Sequence, residues 1–441
     1  MTDLVFTVQP GGRLDGAFRV PGDKSISHRS IILGSIADGV TTVEGFLEGE
    51  DSLATLKAFR AMGVAIDDVT NGATTIRGVG LNGLQQPETA LDLGNSGTAM
   101  RLMCGLLAGQ QFSSTLIGDE SLSQRPMGRV ANPLREMGAK IELGEGEFAP
   151  VEIVPATLSP INYDLPVASA QIKSCLLLAS LYTDPGKGQT SITEPAPCRD
   201  HTERMLRGFG YDVQTEGPKA SLAGGGNLTA CHIDVPADIS SAAFFMVGAS
   251  IAEGSDILLQ HVGINPTRIG VINILKAMGA NISLENNRVV GGEPVADIRV
   301  QSAQLKGIDI PVSEVPLAID EFPVLFIAAA CAEGVTTLNG AEELRVKESD
   351  RIQVMADGLA VLGVKHEVKL DGIVIEGGNY GGGEVTSHGD HRIAMAFAVA
   401  ALRASQPMVI HDCHNVATSF PGFSELAVRV GLSMAVNEEH S

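Results

Sequence analysis

The chain repeats one supersecondary pattern six times, and this constrains its fold more than any other feature. RAMGVAID, REMGAKIE, RGFGYDVQ, KAMGANIS, AVLGVKHE and RVGLSMAV each bring a helical segment to a glycine. Those glycines are Gly63, Gly138, Gly210, Gly279, Gly363 and Gly431, spaced 75, 72, 69, 84 and 68 residues apart. Upstream of each runs a second segment of small and apolar residues, such as GTAMRLMCGLLAGQ, SSAAFFMVGASIAEG or HRIAMAFAVAALRAS. A Thr/Val/Leu-rich strand follows it, as in TTVEGF, STLIG or DILLQH. A glycine after a helix is also a common C-cap, so one alone carries little. Six with matching upstream segments specify a repeat, whose period is too long for a solenoid turn and fits a small β/α unit.

At 441 residues the chain exceeds one ordinary core, which predicts two domains. Helices alternating with short strands, three repeats per half, predict an α/β fold in each. An apolar strand at residues 4–8 precedes the first repeat, and PADISSAAFF opens the fourth. The expected first domain is residues 22–236. The second is 1–21 with 237–441, the N-terminal strand completing its sheet, and the hinges lie near 20–22 and 235–238.

A net charge of −21 argues against nucleic acid as a partner, because phosphate contacts need a basic face. Any anion site is therefore built locally, against the overall field. Six scattered cysteines without a C-x-x-C pair read as reduced thiols packed in cores, which predicts a cytoplasmic protein. MTDLVFTVQPGG lacks the pattern of a signal peptide, and no apolar run reaches membrane-spanning length.

The densest chemistry lies in Pro21-Gly-Asp-Lys-Ser-Ile-Ser-His-Arg-Ser30. A turn leads into a helix whose first turns carry Lys24, Ser25 and Arg29. Free backbone N–H groups and the dipole already favour an anion there, and a cation, a hydroxyl and a guanidinium strengthen it. The alternative is that Asp23 and Ser25 only cap the helix. Leu93-Gly-Asn-Ser-Gly-Thr-Ala-Met-Arg101 allows close backbone approach at Gly94 and Gly97, or is simply a tight strand-to-helix turn. Pro126 suits a helix first turn, which aims Arg125 at a ligand.

Ser169-Ala-Gln-Ile-Lys173 opens the third small-residue helix, and Arg199-Asp-His-Thr-Glu203 opens its partner or is an ordinary charged first turn. Asp320 and Glu321 lead directly into a long apolar run, a setting that favours a general base. In Arg345-Val-Lys-Glu-Ser-Asp-Arg351, helical spacing puts Lys347 and Arg351 on one face beside Glu348, as a site or as a solvated surface. Gly389-Asp-His-Arg392 opens the sixth helix. His388, Asp390, His391, His411, Asp412 and His414 match no standard metal-ligand spacing, so no metal is expected. No Walker loop, dinucleotide fingerprint or nucleophile elbow is present, and no cofactor is expected.

PGDKSISHR, LGNSGTAMR, RPMGR, LRVKESDR and DHRIAM together resemble the 5-enolpyruvylshikimate-3-phosphate synthase family over almost the whole chain. GDKS, SAQIK, RDHTE and NPTR (265–268) resemble its class II members. The resemblance implies the enolpyruvyl transferase fold, two domains of three βαβαββ units each. It implies transfer of the enolpyruvyl group of phosphoenolpyruvate to the 5-hydroxyl of shikimate 3-phosphate, with release of phosphate, by a cytoplasmic monomer. By that likeness Lys24, Ser25, Arg29, Ser169, Ala170, Gln171, Arg199, Asp320 and Lys347 would hold shikimate 3-phosphate. Lys24, Gly97, Arg125, Gln171, Arg351 and Arg392 would hold phosphoenolpyruvate. Asp320 would take the hydroxyl proton and Glu348 would serve the methylene carbon, with Lys24 sharing the proton work.

One departure stands out. Many family members carry a Lys two residues before the Phe-Pro near the C-terminus, where this chain has Thr418. Gly97 leaves room for glyphosate at the phosphoenolpyruvate site, whereas the class II motifs and Leu102 favour tolerance, so intermediate sensitivity is expected. The sister transferase acting on UDP-N-acetylglucosamine usually has Lys-Asn in place of Lys24-Ser25, and a Cys in the loop that reads GDESLSQRPMGR here. A non-catalytic repeat scaffold would need neither Asp320 nor Glu348.

Overall fold

A computed structural model describes residues 2–440. Its α-helices are α1 (Lys24–Ile36), α2 (Glu50–Ala61), α3 (Gly97–Ala108), α4 (Gly128–Glu136), α5 (Ala170–Ser180) and α6 (His201–Gly208). They continue with α7 (Ile239–Ile251), α8 (Gly270–Ala277), α9 (Phe322–Cys331), α10 (Arg351–Val361), α11 (His391–Ala400) and α12 (Phe423–Val430). Each of the six repeats supplies two of them. The odd-numbered helices are the small-residue segments. Every residue of α7 is buried, as are nine of ten in α11, the pattern of a helix apolar all round. Within their own units α3 packs on α5, and α7, α9 and α11 pack on one another.

The even-numbered helices stop at the repeated glycines. All six have positive φ: 86° at Gly63, 99° at Gly138, 81° at Gly210, 93° at Gly279, 77° at Gly363 and 126° at Gly431. A side chain there would be strained, and glycine lets the chain reverse into the next strand. That requirement is what left the repeat visible in the sequence.

Each repeat folds its strands into a small sheet, mixed in all but the fifth, whose three strands are antiparallel. In the second repeat the order is Leu91–Asp92, Ser114–Ile117, Val151–Val154, Lys140–Leu143, the first pair parallel and the others antiparallel. Three sheets are completed from distant chain. His232–Asp234 runs parallel to Asp38–Glu44 in the first repeat, and Asp15–Phe18 runs parallel to Asp256–Gly263 in the fourth. The N-terminal strand Thr2–Val8 lies between Met408–His411 and Met434–His440 in the sixth. In the fifth repeat the outer strand is reduced to isolated bridges, Lys306 to Glu333 and Asp309 to Thr337.

The chain forms two compact units. Unit one is Gly22–Val235 with Val289–Glu293, and unit two is Met1–Pro21, Pro236–Arg288 and Pro294–Ser441. The sequence reading placed 237–441 in one domain throughout, and the hairpin tip Val289–Glu293 departs from it. The tip groups with unit one because His201 Nδ1 lies 2.7 Å from Glu293 Oε1 and Arg204 Nη1 donates to the Gly292 carbonyl. Each unit encloses its own apolar core. In unit two, edge-to-face Phe420 and Phe423, 5.3 Å apart, anchor α12. Burying each such side chain contributes about 1.5–3 kcal/mol.

Candidate active site

In unit one the ligand-type residues sit at the starts of α1, α3, α5 and α6. Asp23 caps α1 by accepting from the Ile26 N–H at 2.9 Å. Lys24 is the first residue of α1, and its ammonium pairs with Asp51 Oδ2 in the first turn of α2. Nothing in the sequence signalled this partner, 27 residues away in a helix that reads as a plain amphipath. Ser25 is half-buried beside it.

Arg29 is 3% exposed, and its hydrogen bonds go to neutral acceptors. Nε donates to Thr202 Oγ1 at 2.6 Å, Nη1 to the Ser25 carbonyl at 2.9 Å, and Nη2 to Ser174 Oγ at 2.8 Å. Burial pushes its pKa down to about 10, against the pull of Glu203. No carboxylate bonds this buried guanidinium directly, so Glu203, Asp23 and Glu293 nearby offset its charge only in part. The first turn of α6 is therefore no ordinary charged turn: His201, Thr202 and Glu203 are all buried there.

His28 is buried on the same helix. Its Nδ1 lies 2.8 Å from Thr55 Oγ1 and its Nε2 lies 3.4 Å from Ser96 Oγ. Burial, then the Lys24 and Arg29 charges, hold its pKa well below the usual imidazole range.

Ser96 caps α3, which begins at Gly97. A Cβ at Gly97 would stand 3.1 Å from Arg101 Nη1 and 3.3 Å from Arg125 Nη1, so the glycine faces two guanidinium groups. Arg125 donates to Asn95 Oδ1 at 2.9 Å. Pro126 was expected in the first turn of a helix, but α4 starts at Gly128, after a Met127 cap. Gln171 accepts from Arg101 Nη1 at 2.6 Å and donates to Thr98 Oγ1 at 3.0 Å. The sequence offers Thr98 as a cap, a role that Ser96 takes instead, and it does not single out Arg101, one helical turn past Gly97 in the same motif. Ser169 caps α5, Ala170 is its first residue, and Arg199 is half-buried just ahead of α6.

Unit two concentrates its charge around Arg351, which is 1% exposed. Arg351 Nε donates to Asp390 Oδ2 at 2.8 Å, Nη2 to Glu348 Oε2 at 2.6 Å, and Nη1 approaches Asp320 Oδ1 at 3.4 Å. Burial alone would lower its pKa, but the Asp390, Glu348 and Asp320 carboxylates outweigh burial and raise it. Asp320 Oδ1 also lies 3.4 Å from Lys347 Nζ. Glu321, not Asp320, is the cap residue of α9, and it is buried, accepting from the Ser240 hydroxyl.

The expected helical face of Lys347, Glu348 and Arg351 is not formed. A 3-10 turn spans Glu342–Val346, Lys347 is extended, and α10 begins only at Arg351. The Asp350 side chain accepts from the Gln353 N–H and starts the helix there. Lys347 and Glu348 thus stand on a turn, where they still meet Asp320 and Arg351. Asp390 caps α11 through the Arg392 N–H at 3.0 Å, which puts Arg392 in the first turn, half-buried. Thr418 is buried, its hydroxyl donating to the Asn415 carbonyl. Among the described residues no three His, Cys, Asp or Glu side chains converge as a metal-binding group. None of their helices is long and apolar enough to cross a membrane.

The family model described as EPSP synthase (3-phosphoshikimate 1-carboxyvinyltransferase) matches residues 8–426. The chain is 64% identical over 433 residues to the 3-phosphoshikimate 1-carboxyvinyltransferase of Alkalilimnicola ehrlichii, covering 98% of this chain and 96% of that protein. It is 63% identical over 436 residues to that of Methylococcus capsulatus, covering 99% of each. Among solved structures, EPSP synthase from Acinetobacter baumannii superposes with a TM-score of 0.90 at 60% identity, covering 98% of this chain and 100% of that one. The enolpyruvyl transferase NikO from Streptomyces tendae matches with a TM-score of 0.81 at 17% identity over the whole of both chains, a likeness of fold alone.

Proposed function

Because the chain belongs to the EPSP synthase family and transfers the enolpyruvyl group to shikimate 3-phosphate, we propose a division of that work among its residues. Lys24, Ser25, Arg29, Ser169, Ala170, Gln171, Arg199, Asp320 and Lys347 hold shikimate 3-phosphate. Phosphoenolpyruvate takes Lys24, Gly97, Arg125, Gln171, Arg351 and Arg392. The observation that carries this reading is Arg29, a buried cation whose hydrogen bonds go to two hydroxyls and a carbonyl. A phosphate would give that guanidinium a directly bonded anion.

The chemistry needs an acid and a base. Asp320 takes the proton of the 5-hydroxyl as that oxygen attacks C2 of phosphoenolpyruvate. Glu348, with Lys24 assisting, delivers a proton to the methylene carbon. The tetrahedral adduct then expels phosphate, and loss of a methyl proton restores the double bond. Cations beside the two phosphates and two carboxylates of the substrates offset the charge that builds up. Arg351, wrapped by three carboxylates, holds Glu348 and Asp320 within reach of one another as well as meeting phosphoenolpyruvate. A cytoplasmic setting is supported by six scattered cysteines without a C-x-x-C pair, and the reading takes the working unit as a monomer.

The test is phosphate release with phosphoenolpyruvate and either acceptor. Release with shikimate 3-phosphate and none with UDP-N-acetylglucosamine is expected. The reverse preference, or no release with either, would overturn the reading.

A further inference from the structure

A second buried charge cluster lies against the Arg29 site, and the transfer chemistry leaves it unused. Lys173, 3% exposed, places Nζ 2.8 Å from Glu194 Oε2 and 2.7 Å from Glu203 Oε1. The Cys198 thiol donates to the same Glu194 oxygen at 2.7 Å. Glu203 is 1% exposed, and its Oε2 is buried without a hydrogen-bond partner. Burial alone would lower the Lys173 pKa, but the Glu203 and Glu194 carboxylates raise it above the ordinary lysine range.

Each partner stands on a different ligand-bearing segment. Lys173 lies in the first turn of α5, its N–H bonded to the Ser169 carbonyl at 3.1 Å, with Gln171 two residues before it. Its neighbour Ser174 accepts from Arg29. Glu203 lies in the first turn of α6 beside Thr202, which also accepts from Arg29 and donates to Ser174 at 2.7 Å. Glu194 follows the strand Gln189–Thr193, and through Cys198 it holds the segment that carries Arg199. One ammonium therefore joins the segments of Ser169–Gln171, Thr202 with Arg29, and Arg199. Buried ion pairs stabilise little against well-packed apolar residues of similar size, so stability alone is a poor reason for one here.

We propose that Lys173 is a positioning residue for shikimate 3-phosphate, fixing the starts of α5 and α6 and the Arg199 segment in one geometry. The proposal rests on the placement of that substrate given above. Lys173→Met alone leaves two buried carboxylates unpaired, so the test uses Lys173→Met with Glu203→Gln, assayed with both substrates and by thermal unfolding. Misplaced contacts are expected to raise the KM for shikimate 3-phosphate by about tenfold, and the KM for phosphoenolpyruvate by less, because of the residues at the start of α5 only Gln171 meets it. A folded double variant with an unchanged KM for shikimate 3-phosphate, differing only in Tm, overturns the proposal. Should the double variant not fold, Glu194→Gln carries the same test, because it leaves the Lys173–Glu203 pair in place. There a rise of about threefold is expected, and no rise overturns the proposal. Ser25→Ala is measured alongside. If it raises the KM and the cluster variants do not, only the positioning role fails. If Ser25→Ala also leaves the KM unchanged, the substrate placement itself fails.

Discussion

Arg351 and Asp390 form a buried ion pair, 1% and 0% exposed, with Nε donating to Oδ2 at 2.8 Å. The same aspartate caps α11 through the Arg392 N–H. One carboxylate therefore holds the Arg351 guanidinium and starts the helix that carries Arg392. Asp390→Asn keeps the shape and the cap but leaves Arg351 short of a charge. Breaking a buried pair costs about 3–5 kcal/mol, so a marked fall in Tm is expected, with a raised KM for phosphoenolpyruvate. An unchanged Tm would show that Glu348 and Asp320 suffice.

Asp320→Asn is expected to bind shikimate 3-phosphate and lose turnover by about 10²- to 10⁴-fold, because an amide cannot accept the hydroxyl proton. Calorimetric titration and steady-state rates separate the two effects. Turnover within a few-fold of the parent removes Asp320 from proton transfer.

Gly97→Ala puts a methyl 3.1 Å from Arg101 Nη1 and 3.3 Å from Arg125 Nη1, closer than either guanidinium accepts without moving. The KM for phosphoenolpyruvate should rise. The inhibition constant for glyphosate should rise further, by an amount worth about 1–3 kcal/mol, the usual range for one methyl in a tight site. Equal inhibition constants for parent and variant would show that this contact does not control the inhibitor.

The depressed pKa of His28 has a signed consequence. Unfolding returns the imidazole to about 6.5, where it takes up a proton that the folded protein refuses. Stability from this source is present above about pH 6.5 and lost as the pH falls below it, by up to about 1.4 kcal/mol per unit. His28→Gln should flatten the Tm profile between about pH 6.5 and 5. A parent profile already flat there contradicts a neutral His28.

The repeats were legible because their terminal glycines must adopt positive φ, a demand no other residue meets cheaply, and the small-residue helices followed from their burial on every side. The closing strand His232–Asp234 was not legible, since three residues carry no periodicity and pair with chain nearly 190 residues earlier. The cations were visible as types, but their surroundings were not. Sequence spacing cannot say that Arg29 meets hydroxyls while Arg351 meets carboxylates. Nor could it place Lys347 and Glu348, because the Asp350 cap delays α10 past them. Lys173 passed as a helix residue for the same reason: its partners, Glu194 and Glu203, come from other segments.

The most direct test of the addition and elimination assigned to Glu348 and Asp320 is mass spectrometry of the product formed in D2O. If the methylene carbon of phosphoenolpyruvate is protonated to a methyl group and then deprotonated, deuterium enters the vinyl group of the product. Product that forms at the normal rate without deuterium would contradict the mechanism.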